Sequence, residues 1–318
     1  MTEELLKVSV HKRRLQGDDV VVLDLIPVGS GTLPAFEAGA HVDIHVAPGL
    51  VRQYSLCSDP ADQTVYRLGV LRDPASRGGS LKVHELLEGA EVQISAPRNL
   101  FPLAVDAKRS ILIGGGIGIT PMIAMAYALQ ATGADFELHY CGRSRSRSAF
   151  LDELKEAAFA DRVVTHFDDE GAEQKLDLEA VLGQGEAGVH VYTCGPSGFM
   201  DWITGTATQL GYADDHIHRE YFQMDVDSSG ASFEVVAARS GKTVQVAEGQ
   251  TILEALGTVG IKIDVSCEQG VCGTCLCDVL EGEPDHRDVY FTDEERAAND
   301  AILVCCSRAR SKKLVLDI

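Results

Sequence analysis

Cys267-Glu268-Gln269-Gly270-Val271-Cys272-Gly273-Thr274-Cys275 sets three thiols at the spacing C-x4-C-x2-C. Two more cysteines, Cys305 and Cys306, follow near the C-terminus. Three ligands on one tight loop and a fourth from further along is the pattern that holds a [2Fe–2S] cluster through four thiolates. Such a cluster carries one electron at a time, so another part of the chain must feed it. Gly270 and Gly273 relieve crowding in the loop and permit positive φ, so that backbone N–H groups can face the cluster sulfides. Zinc is the competing metal. Structural zinc sites pair one C-x2-C with a second C-x2-C or H-x3-H, and that second half is missing.

The residues around the loop predict a small mixed domain. Phe233–Ala238 and Thr243–Val246 read as a hairpin turning at Ser240-Gly241. A helix follows over 251–259 with Thr251 as N-cap, then strands at Cys277–Leu280 and Ala301–Val304. One helix crossing mixed strands suits a ferredoxin β-grasp. Twenty-nine residues separate Cys275 from Cys305. That interval is close to the plant-type ferredoxin spacing and favours Cys305 over Cys306 as fourth ligand, with a one-residue slip left open. Cys277, two residues past Cys275, reads as structural.

Composition sets limits on the rest. The chain has 318 residues, enough for two or three domains, and 45% are hydrophobic. No run of about 18 apolar residues predicts a membrane span, and the acidic N-terminus has no signal-peptide core. A formal net charge of −20 argues against nucleic acid or an anionic membrane as partner and fits docking on a basic surface. Nine cysteines without an export signal point to a reducing, cytoplasmic setting with metal-bound thiolates rather than disulfides. Cys57 and Cys141 read as small buried residues.

The first hundred residues are rich in short strands. Val20–Leu25, His41–Val46, Tyr66–Leu71 and Glu91–Ser95 are separated by glycine-marked turns, a pattern that predicts a small β-barrel. Two segments within it are chemically specific. Arg52-Gln53-Tyr54-Ser55 sits on a strand, and a guanidinium fork there suits a phosphate. Arg77-Gly78-Gly79-Ser80 precedes the apolar-periodic Leu81–His84, so a glycine loop opens a helix whose N–H groups favour a phosphate. Read separately, the first could be an ordinary strand and the second a glycine turn with a Ser N-cap.

From Ser110 onward strand and helix alternate, which predicts a parallel α/β sheet. Ile111–Ile113 runs into Gly114-Gly115-Gly116-Ile117-Gly118-Ile119-Thr120-Pro121, followed by a helix over 122–129. Phe136–Tyr140, a helix over 149–160, Val163–Phe167 and Val189–Thr193 continue the pattern. The glycine loop does not fit G-x-G-x-x-G, because Ile119 or Pro121 occupies the third glycine position. The second strand ends in Arg143-Ser-Arg-Ser-Arg147 rather than in an acid that would hold a ribose. An orthodox Rossmann dehydrogenase is therefore disfavoured. The arginines could bind the extra phosphate of NADPH or form a solvated loop. Cys194-Gly195-Pro196-Ser197-Gly198-Phe199-Met200 follows the last of these strands.

Together, R-x-Y-S, the Gly-Gly-Ser turn, G-x-G-x-T-P and C-G-P resemble the ferredoxin–NADP reductase superfamily. The match to C-G-P-x-x-M carries one extra residue before Met200. The order of barrel, nucleotide domain and C-terminal ferredoxin resembles the phthalate dioxygenase reductase family, with the reductases of vanillate demethylase and phenoxybenzoate dioxygenase as near relatives. The resemblance implies that Arg52, Arg77, Gly79 and Ser80 hold the flavin phosphate. Tyr54 lies against the isoalloxazine, and Ser55 hydrogen-bonds near N5. Gly114, Gly116, Thr120 and Pro121 shape the nicotinamide loop. Cys194 and Gly195 sit near the reactive carbon, and Phe222 covers a flavin face. It implies FMN, NADH as donor and a Rieske-type oxygenase as recipient. Arg143 would favour NADPH if it bound a 2′-phosphate.

The expected division is a flavin barrel over 1–104, an NAD(P) domain over 105–222, a linker over 223–231 and a ferredoxin domain over 232–318. Flavin is the converter, since it accepts a hydride and releases electrons singly. Ser55, Thr120 and Cys194 are the expected catalytic positions, and Cys267, Cys272, Cys275 and Cys305 the cluster ligands. The expected product is a monomeric electron-transfer reductase. A reductase for another hydroxylase, or an iron–sulfur carrier or redox sensor, remains the alternative.

Overall fold

The computed structural model describes residues 5–74, 78–224 and 226–318. Arg77 lies outside the described residues. The chain divides into two compact units, Met1–Glu220 and Tyr221–Ile318.

The first unit begins with alternating strands: β1 Leu6–Gln16, β2 Val20–Pro27, β3 Ala40–Ala47, β4 Leu50–Ser55 and β5 Tyr66–Leu71. Helix α1, Gly79–His84, precedes β6, Glu91–Ile94, and β7, Arg98–Asn99. They form one sheet in the order β4-β3-β6-β1-β2-β5, with β7 beside β3. A bridge between Leu56 and Leu68 brings the two ends of that order together into a barrel. Inward residues such as Val8, Val10, Val42, Ile44, Leu68 and Ile94 are buried. Asp24 is also buried and is gripped by Arg14 at 3.0 Å and Arg67 at 2.6 Å. Burial alone would raise its pKa, but the two guanidinium groups outweigh it and hold the carboxyl low.

The second half of this unit is a parallel sheet. Its elements are β8 Arg109–Gly115, α2 Ile119–Thr132, β9 Asp135–Gly142, α3 Leu151–Glu156, β10 Val163–Phe167, α4 Leu178–Leu182, β11 Val189–Cys194, α5 Ser197–Gln209 and β12 Ile217–Glu220. The strand order is β10-β9-β8-β11-β12. Ile111, Ile113 and Val191 pack against Leu178, Leu182, Ile203 and Ala207 of the covering helices. The helix expected over 149–160 is shorter, because Ala157 turns to extended geometry after Glu156.

The second unit contains β13 Phe233–Ala237, β14 Lys242–Val246, α6 Ile252–Thr258, β15 Leu276–Glu281, β16 Pro284–Asp285, α7 Asp293–Ala298, β17 Ala301–Leu303, β18 Arg308–Ala309 and β19 Lys313–Leu316. The main sheet runs β14-β13-β19-β15-β17. Thr251 caps α6 as expected, in a reciprocal capping box with Glu254. Phe233, Val235, Ile252, Leu256, Leu303 and Leu314 form its core beside Cys275 and Cys305. Among the described residues, no helix is long and apolar enough to cross a membrane.

Candidate functional site

On the barrel, β4 carries Arg52, Tyr54 and Ser55. The Arg52 stem lies against Gly79, where a Cβ would come within 2.4 Å of Arg52 Cγ. Strand and glycine turn are thus brought together, as the two motifs require. The cap of α1 is Gly78, at φ 88°, not Ser80. Ser80 lies inside the helix, where its Oγ accepts from the Asp73 amide at 3.1 Å and donates to the Asp73 carbonyl at 3.3 Å. Burial pushes the Tyr54 hydroxyl up, with Arg52 opposing.

The residues expected at the nicotinamide converge through strand register. Gly114, Cys194 and Glu220 occupy one level at the C-terminal ends of β8, β11 and β12, paired Cα to Cα. In open α/β sheets ligands bind outside these strand ends. Gly118 presses on the other side: a Cβ there would lie 2.2 Å from the Cys194 carbonyl oxygen. Gly195, at φ 156°, abuts Gly115. Thr120 is buried in the first turn of α2, where its Oγ1 donates to the Ile117 carbonyl at 3.0 Å; Pro121 follows it, also buried. Burial pushes the Cys194 thiol well up, so it stays protonated.

Three features escaped the sequence reading. Glu220 is the first. Ser55 Oγ donates to Glu220 Oε2 at 3.3 Å, joining the barrel to the parallel sheet. Burial pushes this carboxyl up to about 8. It is therefore neutral at pH 7, and between about 4.5 and 8 the folded chain holds a proton that the unfolded chain releases. That contribution to stability is present below about 4.5 and is lost as pH rises through about 8. Only its polar type was visible in the sequence. We expect Glu220→Gln, which fixes the neutral form, to flatten the fall in NADH-to-flavin rate above pH 8. An unchanged pH profile in stopped-flow reduction would count against a role for this carboxyl.

The second is the acidic run Asp168-Asp169-Glu170. Its amides return to β9, with Asp168 donating to the Gly142 carbonyl at 3.1 Å and Asp169 to the Arg143 carbonyl at 3.2 Å. The acids absent from the end of the second strand thus arrive beside it from β10. Glu170 takes Arg145 at 2.6 Å, and Arg147 faces Asp18 at 3.4 Å. Arg143 is exposed.

The third is Phe150, whose ring lies where a Cβ on Gly69 of β5 would stand, at 2.6 Å, with the Thr120 methyl beside it at 3.0 Å. A glycine in mid-strand was the available signal, since it often marks a close approach.

In the second unit Cys267, Cys272, Cys275 and Cys305 are all buried. Hydrogen bonds from Cys272 and Cys305 pull the Cys267 thiol down, and one from Cys305 does the same for Cys275. The same contacts push Cys272 and Cys305 up. The four sulfurs are linked pairwise, Cys272 to Cys267 and Cys305 to both Cys267 and Cys275, and the Gln269 N–H donates to Cys267 Sγ at 3.3 Å. That donor set fits a cationic iron pair. Among the described residues, no group of three or more His, Cys, Asp or Glu side chains could hold a single metal ion. A two-iron cluster asks for two thiolates per iron.

Cys306 faces the Leu303 carbonyl at 3.9 Å and Ser307 Oγ at 3.7 Å, and it also touches the Cys305 thiol. Gly270 and Gly273 have φ of 72° and 74°. A Cβ at Gly270 would strike Cys306 Sγ at 2.6 Å, and one at Gly273 the Tyr290 ring at 2.4 Å. Burial pushes Cys277 up to about 12, which keeps it a thiol. Phe222 is half-buried and belongs to this second unit.

Family models match two segments: a 2Fe-2S iron-sulfur cluster binding domain over residues 235–310 and an oxidoreductase NAD-binding domain over 112–204. The chain is 50% identical over 317 residues to the vanillate O-demethylase oxidoreductase of Pseudomonas sp. (strain HR199 / DSM 7063), covering 99% of this chain and 100% of the other. It overlays phthalate dioxygenase reductase with a TM-score of 0.76 at 36% identity, covering 99% of this chain and 98% of that one. The chain belongs to the phthalate dioxygenase reductase family. It is an oxidoreductase with the family's flavin barrel, parallel-sheet nucleotide domain and [2Fe–2S] domain, as the motifs led us to expect. The phthalate dioxygenase reductase fold also recurs as a fused module. An intact type IV self-sufficient cytochrome P450 monooxygenase matches with a TM-score of 0.86 at 41% identity, over 99% of this chain and 41% of that chain.

Proposed function

We propose that this chain is the reductase component of a two-component Rieske-type aromatic oxygenase or demethylase, drawing on NADH through FMN and delivering single electrons by way of its [2Fe–2S] domain. The observation that carries the reading is full-length similarity, at 50% identity, to a vanillate O-demethylase oxidoreductase. Bound flavin converts a hydride into single electrons, which the cluster accepts one at a time. The chain's own residues position these groups. Arg52, Gly79 and Ser80, with Arg77, would hold the flavin phosphate; Tyr54 would lie against the isoalloxazine; Ser55, bonded to Glu220, would hydrogen-bond near N5. Thr120 and Cys194 would sit beside the nicotinamide with the loop of Gly114, Gly116, Pro121 and Gly195. Cys267, Cys272, Cys275 and Cys305 would ligate the irons.

The division into 1–104, 105–222, 223–231 and 232–318 belongs to the same proposal. It is supported by the breaks between β7 and β8 and between β12 and β13. A monomeric, cytoplasmic reductase whose net charge of −20 meets a basic partner surface completes it. Phe222 remains a candidate flavin cover on family resemblance. A haem monooxygenase is the second reading for the acceptor, favoured by the P450 match.

NADH is the preferred donor. Arg145 is already paired with Glu170, and the acidic run beside Arg143 repels a 2′-phosphate while offering ribose hydroxyls an acceptor. We expect Arg143→Ala with Arg145→Ala to lower kcat/KM for NADH and NADPH by the same factor, under about threefold, as for exposed charges. A loss confined to NADPH would return the arginines to a phosphate site.

The deciding experiment is anaerobic titration with NADH, followed by mixing with a purified Rieske oxygenase or P450. Flavin and cluster bands should bleach together and recover on adding the Rieske protein. A spectrum without flavin, or no bleaching, would leave only an iron–sulfur carrier.

A further inference from the structure

Phe150 holds a backbone conformation that bulky L-residues rarely adopt. It is a buried aromatic at φ 65°. Such strain persists only where the surroundings over-determine it. Here two strands of the barrel do so. Gln16, the last residue of β1, accepts from the Phe150 amide through Oε1 at 2.6 Å and donates through Nε2 to Glu153 Oε1, also at 2.6 Å. Phe150 is the N-cap of α3 and Glu153 its third residue, so a barrel side chain bridges the two positions that a capping box would join. Gly17 follows at φ 57°, and a Cβ there would lie 2.7 Å from the Arg147 carbonyl oxygen. The Phe150 ring then reaches β5. A Cβ at Gly69 would stand 2.6 Å from the ring Cζ and 3.0 Å from the Thr120 methyl carbon, so strand, ring and methyl meet at one point.

We propose that Phe150 is a positioning residue for hydride transfer: its ring is the stop that sets how closely the first turn of α2, with Thr120, sits against the flavin barrel. The inference rests on the placement of Thr120 beside the nicotinamide proposed above. The reaction breaks the C4–H bond of NADH and forms an N5–H bond on the flavin, leaving NAD⁺, and it needs the reacting atoms about 3–3.5 Å apart. In this reading the donor's loop belongs to the sheet and the acceptor's cradle to the barrel. A contact joining sheet to barrel then controls the separation without touching either ligand. Thr120 cannot supply that contact alone. Its hydroxyl is turned back to the Ile117 carbonyl at 3.0 Å, and Gly69 has no side chain to meet its methyl. The Phe150 ring fills the gap. A misplacement of about 1 Å can cost ~10²-fold in rate, so trimming the ring, which lets the turn shift by part of that, should slow the transfer about tenfold.

The test uses holoprotein carrying Phe150→Leu, mixed anaerobically with NADH. The limiting rate of flavin reduction should fall about tenfold while the Kd for NADH stays within about twofold. The charge-transfer absorbance of NAD⁺ with the reduced flavin should weaken, and hydrogen–deuterium exchange over 117–121 should rise in the nucleotide-free protein. Gln16→Ala keeps the ring but releases the Phe150 amide at a partly exposed turn, and should show the same pattern at about threefold; it decides the matter where Phe150→Leu folds poorly. Unchanged limiting rates in the folded variants would overturn the proposal. So would a rise in Kd that accounts for the whole loss, which would make the ring a support for binding alone. The nicotinamide placement is checked separately in the unmodified protein, where NAD⁺ should protect 117–121 from exchange. Absence of that protection would refute the placement of Thr120 itself.

Discussion

Cys305→Ser should yield a protein without cluster absorption that still accepts hydride from NADH at its flavin. Cluster content should fall below about a tenth, because a four-thiolate site has no spare ligand. Cys306→Ser should keep the cluster. The two thiols are adjacent in sequence and equally buried, yet they have different neighbours. Cys305 is in contact with Cys267 and Cys275 as well as with Cys306 itself. Cys306 faces the Leu303 carbonyl and Ser307 and packs under Gly270. Iron and acid-labile sulfide analysis of both variants checks this. A full cluster in Cys305→Ser with loss in Cys306→Ser would reverse the assignment.

Gly118→Ala should impair NADH use more than any other single-methyl change in the nucleotide loop. The new Cβ would meet the Cys194 carbonyl oxygen at 2.2 Å, its carbon at 2.4 Å and the Gly195 nitrogen at 2.7 Å. These are backbone atoms at the end of a central strand and cannot swing aside. Relief requires parting the α2 turn from the Cys194–Gly195 corner, the two walls of the proposed nicotinamide site. Overpacking of this kind costs about 1–3 kcal/mol, so kcat/KM for NADH should drop about fivefold or more while flavin and cluster spectra persist. Gly116→Ala is the control. Its φ is 58°, but nothing lies within 4 Å of the added methyl, so only backbone strain of about 1 kcal/mol applies. Equal losses in the two variants, measured by steady-state kinetics, would show that strain rather than contact governs the loop.

What could be read in the sequence was periodic or covalently local. Alternation gave β2, β3 and β5, and the Cys267–Cys275 spacing pointed to the cluster before any neighbour was known. Thr251 signalled the start of α6 because Glu254 stands where its capping partner must be. Pairings across long separations were hidden. Nothing near Glu220 indicates that Ser55, far away in sequence, donates to it. Asp168–Glu170 drew no reading, because parallel register, not sequence distance, sets it beside Arg143. Ser80 looked like a cap, but Gly78 can adopt the left-handed turn and Ser80 is bound to Asp73.

The Phe150 ring occupies the place on β5 where Gly69 has no side chain, with the Thr120 methyl beside it. A strand of the barrel and a loop of the parallel sheet therefore fit as lock and key through one missing side chain. Any larger residue at Gly69 would therefore collide with the aromatic ring and force the barrel and sheet apart. The barrel and sheet are a matched pair, whereas the iron–sulfur unit carries a core of its own.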